Sequence, residues 1–202
     1  MKGKWAFLSG MMLICASLQA QINGVVFEDK NGNGVQDAGE QGLPGVVVSN
    51  GREVTRTETG GKYELPVNAD TRFVSVTCPS GYRNTGKFYS SLKQEGGGYA
   101  FGICRNSGED KNGFSFIQIT DTELFKCFRG DWIDELKNYI KANPTAFLVH
   151  TGDICYERGM QFHARHLEES VWQIPYYSCI GNHDLVKGKY GEEMYESLFG
   201  PT

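Results

Sequence analysis

Three short apolar runs in the second half of the chain, residues 114–120, 145–151 and 174–180, each stop in a polar cluster. The clusters are Asp121-Thr122-Glu123, Gly152-Asp153 and Gly181-Asn182-His183-Asp184. Nearly continuous hydrophobic runs of this length read as strands of a parallel sheet covered on both faces. Between the first two, Trp132, Ile133, Leu136, Tyr139 and Ile140 recur at helical spacing; Asp131 is placed to cap that helix and Asn143-Pro144 ends it. Residues 160–172 fill the second gap, with Phe162, Leu167 and Val171 among charges. The expected unit is βαβαβ with the usual right-handed connections. Ligands in open α/β sheets bind at the carboxyl ends of strands, so this topology gathers the three clusters into one site.

The first half follows another pattern. Residues 24–27, 45–49, 53–57, 62–67 and 72–78 are short alternating runs with turns at Asn50-Gly51 and Gly60-Gly61, the pattern of a small antiparallel sandwich. Residues 82–111 read as a turn-rich transition holding one last strand at 99–104. The boundary is set near Ser107, giving a β-domain over 21–107 and an α/β unit over 108–202. The expected fold class is thus an α/β catalytic-domain fragment preceded by a small all-β sandwich. Within the sandwich, DKNGNGVQDAGE (residues 29–40) fits the calcium-loop pattern of an EF-hand, yet strand-like segments flank it instead of helices. Asp29, Asn31, Asn33, Asp37 and Glu40, with the Val35 carbonyl, form a candidate calcium loop of weak affinity, Kd on the order of 10⁻⁴–10⁻³ M. The alternative is a metal-free turn, with Gly32 and Gly34 at positive φ and the Asn and Asp side chains capping their own backbone.

Lys2 and Lys4 ahead of an apolar stretch over 5–16, with Ala20 closing a short tail, read as a signal peptide over residues 1–20. Export to the periplasm or cell surface follows, with no stable membrane span after cleavage. The net charge of −4 becomes −6 once Lys2 and Lys4 are removed, 18 basic against 24 acidic residues. That balance excludes broad contact with a nucleic-acid backbone. Five cysteines remain, Cys78, Cys104, Cys127, Cys155 and Cys179, an odd number without a C-x-x-C spacing. They are expected to be buried thiols.

Two resemblances sharpen this picture. GVVFEDKNGNGVQDAGEQGLPGVVVSNG followed by TETGGKYELPV resembles the B-type repeat of bacterial surface adhesins, a prealbumin-like sandwich whose Asp/Asn/Gly loop often holds calcium. The strand-end clusters resemble the opening motifs of the calcineurin-like metallophosphoesterase superfamily, D-x-H, then G-D, then G-N-H-[DE]. An exported β-domain ahead of that unit is similar to a bacterial subgroup of the superfamily. The resemblance implies hydrolysis of phosphate mono- or diesters with two divalent metals, manganese, magnesium, iron or zinc. It implies Asp121 on the first metal, Asp153 bridging both and Asn182 on the second. His183 would stabilise the oxyanion or protonate the leaving group, oriented by Asp184.

Glu123 stands where that pattern has histidine, either as a direct ligand or through water. As a direct ligand it favours magnesium, manganese or iron(II) over zinc. No G-H-x-H motif occurs, and the expectation is the N-terminal part of a longer enzyme, with an incomplete metal site and no activity of its own. The alternative function is a non-catalytic exported adhesion module carrying a remnant metal-binding domain. Of the remaining candidates, His150 is expected to be packed, His163 and His166 to lie on the second helix, and Glu157 and Arg158 to be solvated.

Overall fold

The computed structural model describes residues 20–92, 98–106, 113–123 and 131–202. Eight strands build the first half: β1 (Gln21–Glu28), β2 (Val47–Ser49), β3 (Val54–Arg56), β4 (Lys62–Pro66), β5 (Phe73–Thr77), β6 (Tyr82–Asn84), β7 (Tyr89–Ser91) and β8 (Tyr99–Arg105). They form two four-stranded sheets, in the orders β4-β1-β8-β6 and β3-β2-β5-β7. Alternate residues point inward, as the two-residue period of a strand dictates. Tyr63 and Leu65 of β4, Val74 and Val76 of β5, and Phe101 and Ile103 of β8 meet Ile22, Val26, Val46 and Val48 in one buried cluster. Each such aliphatic or aromatic side chain contributes roughly 1.5–3 kcal/mol of apolar transfer free energy.

The sandwich departs from the expected antiparallel form in one pairing. β1 runs parallel to β8 over Gly24–Glu28, while its antiparallel partner β4 takes Gln21–Val25. Gly24 sits where both partners close in: the Tyr63 hydroxyl donates to the Tyr99 carbonyl at 3.0 Å, and a Cβ on Gly24 would lie 2.0 Å from that carbonyl oxygen. β6 and β7 occupy the stretch read as a transition. At three residues apiece they are too short to show an alternation of their own.

The second half contains β9 (Ile117–Ile119), α1 (Asp131–Ala142), β10 (Leu148–His150), α2 (Tyr156–His166), α3 (Glu169–Trp172), β11 (Tyr176–Ser178), a 3₁₀ turn (Asn182–Asp184) and α4 (Glu193–Phe199). Its three strands are parallel, ordered β11-β10-β9, with Leu148 opposite both Ile117 and Tyr176. One face is covered: Leu148 packs with Ile133, Leu167 and Trp172, flanked by Ile117, Ile119, Leu136 and Ile140. Among the described residues the other face is covered only in part, where both faces are expected to be covered. Phe114 and Phe116 are exposed; Phe116 stacks on Phe147, Tyr177 meets Phe147 edge-on, and Phe88 of the sandwich lies tilted against Tyr177.

The second helix also differs from its expected span. α2 starts at Tyr156 and buries Gly159, Met160 and His163, with Leu167 following beyond its end. Histidine reads as polar, which hides that stripe in the sequence. α4 was not anticipated; Met194 and Tyr195 pack with Ile154 and Met160 in a separate cluster, flanked by Leu198 and Phe199. α4 also ties the halves together. Arg72, just ahead of β5, pairs through its guanidinium with Glu192 at 2.8 Å and Glu196 at 2.9 Å. Among the described residues no helix is long and apolar enough to cross a membrane.

Candidate active site

The carboxyl ends of β9, β10 and β11 are joined by the residues read as functional. The Asp121 amide donates to the Gly152 carbonyl at 3.1 Å, and the Glu123 amide to that of Asp153 at 3.3 Å. Asp153 Oδ1 in turn accepts the His183 amide at 3.0 Å. Two glycines allow this approach. A Cβ on Gly152 would stand 2.7 Å from the Gly181 nitrogen, and one on Gly181 would stand 2.2 Å from both the nitrogen and Oδ1 of Asp153.

Asp121, Glu123 and Asp153 all have left-handed backbones, with φ of 52°, 40° and 57°. For non-glycine residues such conformations cost on the order of 1–3 kcal/mol each and cluster at functional sites. Cys155 and Tyr156 add two more, at 88° and 46°. Among the described residues five of the six left-handed non-glycine residues therefore follow two of the three strand ends; the sixth, Gln173, closes α3.

Asp184 is fully buried beneath these loops. Its Oδ1 accepts the Cys155 amide at 2.8 Å and its Oδ2 the Gly181 amide at 2.9 Å, so one carboxylate fastens the loop after β10 to the loop after β11. The carboxylate beside the His183 imidazole is that of Glu123. Its Oε1 lies 3.5 Å from Nδ1, within ion-pairing reach but too poorly aligned for a hydrogen bond. On its other side the imidazole stacks against Tyr156, with 5.7 Å between centroids and 14° between planes. Asn182 is exposed at the start of its turn.

Two histidines lie beneath the site. His150 Nδ1 accepts the Gly152 amide at 3.2 Å, which leaves the proton on Nε2 to be donated to the Thr122 hydroxyl at 3.0 Å. Burial pushes its pKa down to about 4, against the opposing pull of Asp184, Asp121 and Asp153. His163 is buried, its Nε2 2.5 Å from the Tyr176 hydroxyl, and burial with His150 as neighbour takes it to about 3. His163 thus faces the interior, and His166 is exposed. Glu157 pairs with Lys187 at 3.6 Å in the first turn of α2, with Arg158 exposed beside it. The Thr122–His150 bond and the Tyr156 stack escaped sequence reasoning, since neither leaves a spacing pattern.

The cysteines only partly match the expectation of buried thiols. Cys155 is buried, with its thiol pushed up to about 11 by burial and by the carboxylates of Glu123, Asp184 and Asp153; Cys78 and Cys104 are half-buried and Cys179 is exposed. None of these four is joined in a disulfide, and Cys127 lies outside the described residues.

The donors at the strand ends are hard oxygens suited in kind to divalent cations. In number they fall short: among the described residues, no three His, Cys, Asp or Glu side chains converge on a point where a metal could sit. The loop of 29–40 closes on itself. Asp29 is buried and accepts the amides of Gly32 and Gly34 at 2.7 and 2.8 Å, while Asn31 and Asn33 both donate to Asp37 Oδ2 at 2.8 Å. Glu40 accepts the amides of Lys30 and Asp37, and Val35 donates its amide to the Asn33 side chain. Gly32 and Gly34 both take φ of 74°, the geometry of the self-capped turn. A calcium ion there would compete with the Asn31 and Asn33 amide groups for Asp37 Oδ2, while the carboxylates that accept backbone amides keep lone pairs for a cation.

Residues 30–105, the body of the sandwich, match the family model described as the N terminal of calcineurin-like phosphoesterase. The chain is also 43% identical over 67 residues to serine-aspartate repeat-containing protein C of Staphylococcus aureus strains Newman, USA300 and COL. Those alignments cover 30% of this chain and 7% of each relative, so the chain spans a small part of the curated relatives it matches.

Proposed function

We propose that this chain, whose sandwich carries the N-terminal signature of calcineurin-like phosphoesterases, belongs to an exported metal-dependent hydrolase of phosphate mono- or diesters. The observation that carries the reading is the convergence of three parallel strand ends, where Asp121, Asp153 and His183 are linked through Gly152 and Gly181. Asp121, Asp153 and Asn182 are the oxygen donors offered to divalent cations, with Glu123 beside them, and together they make a partial site. In this family of reactions such cations supply an activated water and neutralise phosphoryl oxygens. The residues on the page do the positioning. Asp153 orders the turn bearing His183 by accepting its amide, and Glu123 Oε1 stands 3.5 Å from Nδ1 of the imidazole that would face a leaving group.

The test is manganese binding to the 202-residue chain by equilibrium dialysis. Asp153→Asn and Asp121→Asn should each weaken it on the order of tenfold or more, the scale of losses at metal centres. Manganese retention indifferent to both substitutions would refute the reading. A second reading, a non-catalytic exported adhesion module with a remnant metal-binding domain, draws on the 43% identity to the serine-aspartate repeat-containing protein. It allows manganese binding and predicts that no phosphate-ester analogue binds at the strand ends.

A further inference from the structure

We propose that Tyr156 is a substrate-stacking residue, giving the strand-end site a preference for phosphate esters whose leaving group is a planar aromatic ring; this rests on the phosphoesterase reading above. Tyr156 and the preceding Cys155 take left-handed backbones in succession, at φ of 46° and 88°. Side chains larger than glycine hold such conformations only where the surroundings enforce them. Here the enforcement is visible: the Cys155 amide is fixed to buried Asp184, and α2 is anchored a turn later by buried Met160 and His163.

The strained backbone does not serve to bury the tyrosine. Its side chain is 51% exposed, and its ring lies nearly parallel to the imidazole of His183. What the geometry achieves is a flat, accessible surface beside the histidine that faces the leaving group. The adjoining rim continues the theme. Lys187 is paired with Glu157 at 3.6 Å, which holds the segment after the 3₁₀ turn against the start of α2, and Leu185 in that segment is 49% exposed. A phosphate ester placed at the strand ends would carry its leaving group toward this rim. Aromatic stacking contributes about 0.5–1.5 kcal/mol beyond area burial, equivalent to roughly 2- to 12-fold in affinity.

The test uses two non-hydrolysable probes of matched size, phenylphosphonate and cyclohexylphosphonate, titrated calorimetrically into the full chain with manganese present. Parent protein and Tyr156→Phe should favour the phenyl probe by about 2- to 12-fold. Tyr156→Leu, which keeps apolar bulk and removes the π face, should bring that ratio near one, with circular dichroism confirming an unchanged fold. A ratio near one in the parent, or one that survives Tyr156→Leu, overturns the inference and leaves the phosphoesterase reading standing. Failure of both probes to bind overturns the phosphoesterase reading and the inference with it.

Discussion

Changing Asp184 to asparagine preserves the shape of the side chain and removes its charge at a position with no solvent exposure. The carboxylate holds two amides, those of Cys155 at 2.8 Å and Gly181 at 2.9 Å. Asparagine offers one acceptor and one donor, so one of the two amides would face an NH₂ group. A hydrogen bond to a charged acceptor contributes ~1.5–3 kcal/mol net, and a buried amide left without an acceptor loses at least as much. A neutral amide is cheaper to bury than a carboxylate, which offsets part of the loss. The expected destabilisation is about 2 kcal/mol for Asp184→Asn, and roughly 3–5 kcal/mol for Asp184→Ala, where both amides lose their partner. Trp132 and Trp172 lie in the α/β half, stacked on each other at 6.4 Å, so tryptophan fluorescence reports on the half in question. With a urea slope of ~1–3 kcal/mol per M, the midpoint of Asp184→Asn should fall by roughly 1 M at unchanged slope. An asparagine variant within about 0.5 kcal/mol of the parent would refute the idea that this carboxylate staples the two loops.

Gly181→Ala should cost about 3–5 kcal/mol by the same assay, although its φ of −105° suits any residue. The new Cβ would stand 2.2 Å from the nitrogen and Oδ1 of Asp153, and moving Asp153 also breaks its bond to the His183 amide. The buried His163 should make the α/β half acid-sensitive. Its folded-state pKa, about 3, lies below the ordinary value near 6.5, so its contribution is complete above 6.5 and is lost as pH falls from 6.5 through about 3. Urea midpoints taken across that window should decline by ~1.4 kcal/mol per pH unit on its account, and more shallowly in His163→Phe; parallel profiles for parent and variant would contradict this.

How much of this was legible in the sequence depends on the range of the interaction concerned. The three apolar runs and their polar ends gave the parallel order because strand, helix and strand alternate locally along the chain. α2 was placed four residues late because its buried stripe includes His163, whose burial rests on the hydroxyl of Tyr176, thirteen residues on. The parallel contact of β1 with β8 leaves no local mark, since each strand shows only its own alternation. At the site, the sequence singled out Asp121, Asp153, Asn182, His183 and Asp184 as a set. It could not disclose that Asp184 spends its oxygens on two backbone amides while Glu123 stands by the imidazole, because both follow from loop conformations at positive φ. Nothing in the letters Cys155-Tyr156 announces a left-handed pair.

The parallel pairing of β1 with β8 bears on when the sandwich can form. β1 opens the domain and lies inside its sheet, yet the strand beside it ends only at Arg105; Gly24 meets Tyr99, 75 residues along. Contacts of such sequence separation come at the expense of chain entropy before any of their burial is realised, and they slow folding. A chain that has not yet reached Arg105 lacks β8, so the edge of β1 away from β4 and the pairing edge of β6 stay without their partner until that strand is made.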